Sequence, residues 1–314
     1  MKKIIEHYGL DAQGYTQHNV DFLDLYLGID NKLFLDYNKI LQGNSALYAV
    51  MKADIDIFMK YLFTYLANSK DSDLSILLDG LHETNATHLG LSIGKPRGKS
   101  IGNELKDKIF ENLQFLKSAM SKGNLEIDSI YFGIENIGPD RISDIVTSII
   151  KSRLILFTQQ QCLKHSIGMH KVAVSKIFNP RTGVWESKFV ELPIYQDEPV
   201  IFIPKNIVST YDAISGTFNA FVSYGFHKFF KGSSIYKKLV RGEDGDLDKN
   251  LKRNEFDDYN KDNGLNNKAI SQKMLTEFEN SDIVNAFFEV RKNVRIFSND
   301  DLVEIVENNL RKAN

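Results

Sequence analysis

A turn sequence between two strand-like segments constrains the fold more than any other feature. Residues 171–178 (KVAVSKIF) and 184–192 (VWESKFVEL) are rich in β-branched and aromatic side chains. The residues between them, Asn179-Pro180-Arg181-Thr182-Gly183, place proline and glycine where a tight turn accepts them. The pattern predicts an antiparallel hairpin, which favours an α+β arrangement over a parallel βαβ winding.

Helical periodicity dominates the rest of the chain. Residues 141–167 form one long, mostly apolar helical pattern that ends before Gly168. Three further apolar segments are predicted to be strands, at 74–81, 127–134 and 199–204. We therefore expect an α+β fold with mixed helices, a small, largely antiparallel sheet and a helical C-terminal part. The other predicted helices are 19–27, 46–67, 103–121, 206–239, 270–292 and 300–312.

Composition limits the class of protein. The 314 residues carry a net charge of −2, so contact with nucleic acid requires local basic patches. A single cysteine, Cys162, excludes an internal disulfide, and no apolar run reaches the length of a signal peptide core or a membrane span. These features predict a cytoplasmic protein with no membrane contact. The expected organisation is a main domain at 1–240, a charged loop or linker at 241–268 and a helical segment at 269–314.

A glycine-rich, basic loop follows the polar cluster at 82–85. No acidic residue lies between Glu83 and Glu104. Glycine lets backbone N–H groups approach an anion, and nearby cations neutralise it, so the loop predicts an anion site whose ligand is the backbone of DNA or RNA. The order matches neither a P-loop nor a dinucleotide fingerprint, and a solvated surface loop is the alternative. The loop holds Gly90, Gly94, Gly98 and Gly102, with Lys95, Arg97 and Lys99 between the last three.

Two aspartates lie at the start of the long helix. Asp140 and Asp144 are four residues apart, so on a helix they share a face and are candidate ligands for one Mg²⁺ ion. Oxygen-bound Mg²⁺ supports phosphodiester hydrolysis by activating water. The alternative is that Asp140 or Ser143 only caps the helix.

The second predicted strand carries Glu186-Ser187-Lys188, and a period of two puts Glu186 and Lys188 on one face. With an upstream aspartate, this pattern resembles the restriction-endonuclease-like PD-(D/E)xK family. The resemblance implies a Mg²⁺-dependent nuclease, with Asp140, Asp144 and Glu186 holding the metal and Lys188 assisting the attacking water. Glu83 is a further candidate catalytic acid. The chain departs from the family pattern because a long helix separates the acids and the upstream aspartate opens that helix.

Two other groups of ligand-type residues have simpler interpretations. Residues 244–255 mimic the oxygen spacing of an EF-hand loop, but Lys249 replaces the glycine at its sharp turn, which favours a solvated loop. Cys162 and His165 have the Cys-x-x-His spacing of a zinc half-site, but no second matching pair accompanies them. Cys162 is therefore expected in the core, and no role follows from spacing for His82, His88 or His170.

Three longer phrases, HETNATHLGLSIGKPRGKSIG, GPDRISDIVTSIIKSRLILFTQQQC and VELPIYQDEPVIFIPK, resemble an uncharacterised group of bacterial proteins associated with mobile elements and phage defence. The resemblance implies a context rather than a chemistry. The leading hypothesis is a defence protein that acts on nucleic acid as a metal-dependent nuclease, with a partner protein encoded nearby. The alternatives are a non-catalytic subunit that binds nucleic acid or protein, and a sensor of a phosphorylated ligand.

Overall fold

The structure is a computed structural model. It describes residues 1–82, 84–90, 107–121, 127–134, 137–228, 261–262, 266–276, 283–290 and 296–311. The chain divides into two compact units, and each is built from separate stretches of sequence. The first unit comprises Met1–Asp107, Gly138–Tyr211 and Asn293–Asn314. The second comprises Lys108–Ile137 and Asp212–Lys292.

The described helices and strands are numbered here in chain order. The helices are α1 (Ile4–His7), α2 (Tyr37–Gln42), α3 (Ala46–Ala67), α4 (Asp71–Asp79), α5 (Leu113–Ser121), α6 (Ile127–Gly133), α7 (Pro139–Lys164), α8 (Tyr211–Lys228), α9 (Asn267–Thr276), α10 (Ile283–Val290) and α11 (Asn299–Arg311). The strands are β1 (Phe34–Leu35), β2 (His170–Asn179), β3 (Val184–Leu192), β4 (Ile194–Tyr195), β5 (Glu198–Pro199) and β6 (Val208–Ser209).

The long helix α7 organises the first unit, as its predicted length and burial suggested. Its buried hydroxyl groups bind the backbones of three segments that are distant in sequence. Ser143 Oγ accepts a hydrogen bond from Leu35 N at 2.9 Å, and Thr158 Oγ1 accepts one from Phe202 N at 2.9 Å. Ser148 Oγ both accepts from the backbone N and donates to the backbone O of His82. Because buried backbone groups need partners, these contacts fix where the segments cross the helix.

The predicted hairpin is confirmed, and its turn follows from the residues in it. Asn179 Oδ1 accepts from Arg181 N at 3.0 Å, and Asn179 O accepts from Gly183 N at 2.9 Å. Gly183 has φ +70°, and a Cβ atom there would lie 2.7 Å from the Tyr61 ring. Only glycine suits both conditions. The strands pair antiparallel with Ala173 opposite Phe189, and the register shifts between Val174 and Ile177.

Two smaller antiparallel pairs complete the described sheet structure. Strand β1 pairs with β6, and β4 pairs with β5 through a two-residue turn. The turn residues Gln196 and Asp197 have φ values of +51° and +67°. This turn is usually made by asparagine and glycine, so the backbone here is strained.

The second unit is helical and has an aromatic core of its own. The Phe132 ring stacks on Phe221 with centroids 4.1 Å apart, and the Phe287 ring meets Phe221 edge-on at 5.3 Å. All three side chains are buried. Such ring pairs contribute stability beyond their buried area.

Two predicted strands are wrong, because both segments are helical. Residues 74–81 belong largely to α4, where Leu74, Leu77 and Leu78 are buried while Ile76 is 60% exposed. That spacing has the period of a helix. Residues 127–134 form α6, which carries Phe132 into the second unit's core. Short apolar runs do not distinguish a buried strand from a buried helix.

Two other predicted elements are extended segments whose backbones bond to several distant partners. Residues 19–27 contain no helix; Leu23 N donates to Ile203 O and Leu27 N donates to Lys2 O. In the predicted strand 199–204, only Pro199 belongs to a strand, and Ile201 N donates to Ala86 O. The apolar side chains of both segments are buried apart from Pro199, which is half-buried, so burial produced apolar patterns without regular pairing.

The predicted fold class is confirmed: helices are mixed with small antiparallel sheets, and the C-terminal part is helical. The linker predicted at 241–268 lies mostly outside the described residues, so the predicted domain boundaries stay predictions. No helix among the described residues has both the length and the apolar character to cross a membrane.

Candidate functional site

The Glu-x-Lys pair of the hairpin lies on strand β3, as predicted, and is engaged locally. Glu186 Oε1 accepts a hydrogen bond from Asn179 Nδ2 at 2.5 Å, and Glu186 Oε2 lies 2.6 Å from Lys188 Nζ. The hydrogen bond from Asn179, followed by the one from Lys188, lowers the pKa of the Glu186 carboxyl. Both carboxylate oxygens thus already have partners within the hairpin.

The predicted upstream acids lie on α7, also as predicted. Helix α7 begins at Pro139 after the N-cap Gly138, and Asp140 lies in its first turn, where a negative charge is favourable. Asp144 lies one turn further on, half-buried. Ser143 does not cap the helix, because its hydroxyl binds Leu35. Among the described residues, no group of three or more His, Cys, Asp or Glu side chains is placed to hold a metal.

Because the described residues show no such cluster, we derive no step through Mg²⁺. Glu83, the remaining predicted catalytic acid, lies outside the described residues. So do the predicted phosphate contacts Lys95, Arg97 and Lys99, and the EF-hand-like segment 244–255. The nuclease hypothesis and its metal stay predictions.

Cys162 is buried near the end of α7, as expected for a core residue. Burial raises the pKa of its thiol to about 12, so it is a poor nucleophile and a poor metal ligand at neutral pH. His165 is 3% exposed, and neither of its ring nitrogens has a hydrogen-bond partner among the described residues. Its ring packs edge-on against Tyr15 with centroids 4.8 Å apart. Cys162 and His165 therefore both have the surroundings of core side chains.

One face of the hairpin is open to solvent beyond Trp185, whose ring packs against Phe58. By the alternation of strands and the observed register, six further side chains lie on this face, and all six are exposed. At its centre Phe189 is 71% exposed, and Lys171 Nζ lies 5.3 Å from the centroid of its ring. Lys171 forms no ion pair with a described residue. The face consists of Lys171, Ala173, Ser175, Ser187, Phe189 and Glu191, and is called here the open hairpin face.

The open hairpin face has the shape of a platform. Phe189 lies directly opposite Ala173, and Ser175 and Ser187 are equally small, so the ring is not screened from across the sheet. Glu186 and Lys188 lie on the other face of β3, by the same alternation. The predicted catalytic pair and the exposed aromatic ring are therefore on opposite sides of the hairpin.

A separate pocket of about 370 Å³ lies in the first unit. One side is the short turn from Asn85 to His88, and the other is the strained β4–β5 hairpin. Asn85 Oδ1 and His88 Nε2 are buried and have no hydrogen-bond partner among the described residues. The lining residues, called here the hairpin pocket, are Gly28, Asn85, Ala86, His88, Tyr195, Gln196, Glu198 and Pro199.

The backbone around His88 is held firmly. His88 O accepts from Asn31 N at 2.8 Å and from Asn31 Nδ2 at 3.0 Å, and His88 itself has φ +54°. Burial lowers the pKa of the imidazole to about 4, so the ring is neutral at pH 7. Nε2 is therefore a fixed, uncharged hydrogen-bonding group.

Sequence reasoning missed both surfaces. The sequence pattern identifies Phe189 and Lys171 only as strand residues, although an aromatic at an alternate position of a polar face is a recognisable signal. Residue spacing assigns no role to His88. No sequence signal connects it with Tyr195, because the two residues are more than a hundred positions apart.

These surfaces belong to a mixed α/β protein with an open hairpin face and a small pocket. The chain is a member of the family described as a domain of unknown function (DUF8370), whose family model matches residues 13–215. That range contains the hairpin, the pocket and α7. No curated protein and no solved structure matches the chain.

Proposed function

We propose that the chain is a non-catalytic protein that binds single-stranded nucleic acid on the open hairpin face, as a component of a bacterial defence system. The observation that carries this proposal is the 71% exposure of Phe189 beside the Lys171 ammonium. An exposed aromatic ring beside a cation is a surface on which a flat partner can stack.

Stacking explains why the partner is a nucleic acid. Every nucleobase has a flat π-face, and proteins that bind single strands combine exposed aromatic rings with cations along the backbone. Here the ring is Phe189 and the adjacent cation is Lys171. The small neighbours Ala173, Ser175 and Ser187 leave space for a base to lie on the ring.

The chain's overall charge is compatible with such a local interface. A net charge of −2 gives no general attraction to nucleic acid, so affinity has to come from stacking and a few phosphate contacts. Lys95, Arg97 and Lys99 are the candidate cations for further phosphate contacts. DNA and RNA both satisfy this chemistry, because stacking on an aromatic ring requires no 2′-hydroxyl.

The test measures binding of a labelled single-stranded oligonucleotide by fluorescence anisotropy over a range of salt concentrations. Phe189→Ala removes the stacking surface and is expected to weaken binding about 5- to 150-fold, from about 1–3 kcal/mol per stacked base. Lys171→Met removes one phosphate contact and is expected to reduce the log–log salt slope by about 0.7.

Leu163→Ser is the matched control. Leu163 is 73% exposed on α7, so its replacement removes an equally exposed apolar side chain that is not part of the open hairpin face. Its affinity should equal that of the wild type. Equal affinity of Phe189→Ala and the wild type, or equal losses in Phe189→Ala and Leu163→Ser, would refute the proposed interface.

A further inference from the structure

The hairpin pocket contains two polar atoms that lack partners. Asn85 Oδ1 and His88 Nε2 are both buried, and neither is bonded to a described residue. A buried acceptor or donor without a partner destabilises a protein, so such atoms persist where a bound molecule satisfies them. Both residues line one pocket, and its volume of about 370 Å³ falls in the range of small-ligand sites.

The charges of the described lining residues give no support for an anionic ligand. Among the described residues, the pocket's lining contains no lysine or arginine, and the His88 ring is neutral because burial lowers its pKa. The carboxylic acid among the described lining residues is Glu198, an exposed residue of the β4–β5 hairpin. An anionic group would have no cation to bind within this lining, whereas hydroxyl and amino groups can donate to Glu198.

The remaining surfaces match a flat ring. The walls are formed by the Tyr195 side chain with Ala86 and Pro199, and these present aromatic and apolar area to a planar ligand. The two unpartnered atoms are a side-chain amide oxygen, which accepts, and an imidazole nitrogen, which donates or accepts. An amide oxygen beside an imidazole N–H is complementary to an amino group beside a ring nitrogen, as in adenine and cytosine.

We propose that the hairpin pocket binds a nucleoside whose base carries an exocyclic amino group. Asn85 Oδ1 accepts from the amino group, and His88 Nε2 hydrogen-bonds the adjacent ring nitrogen. Glu198 accepts from the sugar hydroxyls at the mouth of the pocket, and any phosphate extends into solvent. This site is distinct from the proposed interface on the open hairpin face, because it shares none of that interface's residues.

The test uses pairs of nucleosides that differ only in this group. Binding of adenosine and inosine, and of cytidine and uridine, is measured on the full chain by calorimetry and by thermal shift. We expect the amino member of each pair to bind roughly 10- to 100-fold more tightly than its keto partner. Equal binding within both pairs, preference for the keto members, no binding of any nucleoside at millimolar concentration, or equal binding of free ribose would overturn the proposal.

Asn85→Ala separates loss of binding from loss of folding. The Asn85 side-chain oxygen bonds to no described residue, so its removal is expected to leave the melting temperature of the ligand-free protein unchanged or raised. The ligand-induced shift should disappear in the same variant. His88→Asn is the second variant, because asparagine also tolerates the left-handed backbone at this position. Normal adenosine or cytidine binding by Asn85→Ala would refute the assignment.

The nucleoside can be free or part of a nucleic-acid strand, and the two sources are separable. If it belongs to a strand, Asn85→Ala weakens binding of adenine- or cytosine-containing oligonucleotides as well as of the free nucleoside. If it is free, Asn85→Ala leaves oligonucleotide binding unchanged, and Phe189→Ala leaves nucleoside binding unchanged. Unchanged nucleoside binding by Phe189→Ala would also show that the pocket binds independently of the open hairpin face. The proposed function and the nucleoside site can therefore fail separately.

Discussion

The ion pair between Arg153 on α7 and Asp54 on α3 joins the two longest helices of the first unit and predicts a large effect of one substitution. Arg153 Nε lies 2.6 Å from Asp54 Oδ2, and Arg153 Nη2 lies 2.9 Å from Asp54 Oδ1, so the contact is bidentate. The Asp54 side chain is 3% exposed. Arg153→Ala would therefore leave a buried carboxylate without its cation.

Burial sets the size of the effect. Breaking a buried pair by removing one partner costs about 3–5 kcal/mol, since the remaining charge is neither paired nor hydrated. The Arg153 side chain is 29% exposed, so water reaches part of the space that it leaves. We therefore expect a loss of about 3 kcal/mol, at the lower end of that range.

Lys52→Ala is the matched control, in an exposed ion pair on α3, the helix that carries Asp54. Lys52 Nζ lies 2.6 Å from Asp56 Oδ2, the same separation as the shorter Arg153–Asp54 contact, but these side chains are 37% and 45% exposed. A solvent-exposed pair at this spacing contributes about 0.3–0.5 kcal/mol. The two variants thus differ in burial and in the bidentate geometry of the Arg153 contact, while the shortest N–O separation is the same.

Urea unfolding followed by tryptophan fluorescence measures both variants. Trp185 is the chain's single tryptophan, lies in the same unit as the ion pair and packs 6.2 Å from the Phe58 ring of α3. With an m-value of about 3 kcal/mol/M, Arg153→Ala should lower the urea midpoint by roughly 1 M, and Lys52→Ala by less than about 0.2 M. Equal midpoint shifts would refute the reasoning. The double replacement Asp54→Leu with Arg153→Met should recover most of the loss, because it removes the buried charge.

Three further predictions follow from local electrostatics and capping. Burial and the neighbouring Lys176 lower the pKa of Lys151 from 10.5 to about 8. Between pH 8 and pH 10.5 the unfolded chain therefore binds more protons than the folded protein, and the free energy of unfolding rises with pH. Lys151→Met should therefore raise the unfolding free energy below pH 8 by up to about 3 kcal/mol, and its advantage over the wild type should vanish by pH 10.5 in urea titrations. Ser298→Ala should cost about 1 kcal/mol in the same assay, and Ser298→Asp almost nothing, because Ser298 Oγ accepts from Asp301 N at 3.1 Å at the start of α11. Glu186→Gln and Lys188→Ala should leave oligonucleotide affinity within about twofold, since both lie opposite the open hairpin face; loss of a Mg²⁺-dependent cleavage activity in either variant would instead support the nuclease hypothesis.

Local sequence was sufficient for elements whose conformation depends on their own residues. The β2–β3 hairpin was predictable because Asn179 and Gly183 make the turn themselves, through a side-chain bond and a left-handed backbone. Helix α7 was predictable because its apolar pattern extends far beyond the length of a strand. These two elements also gave the fold class.

Short apolar segments were not predictable, because their conformation depends on what packs against them. The runs at 74–81 and 127–134 satisfy strand and helix patterns alike, and became helices with contacts supplied from other parts of their units. Residues 19–27 are extended because their backbone groups bond to residues such as Lys2 and Ile203. In all three segments, most of the apolar residues were correctly predicted to be buried, but the predicted conformation was wrong.

The candidate sites show the same division. Spacing placed Glu186 and Lys188 on one face of β3, but only the tertiary structure showed that Asn179 and Lys188 occupy the carboxylate. Local turn chemistry and periodicity were enough to predict the long helix, the hairpin and the α+β class. The sequence did not predict that Asn85 and His88 line a pocket with the β4–β5 hairpin, or that Phe189 is exposed. Burial and unsatisfied hydrogen bonds depend on contacts between residues that are far apart in the chain.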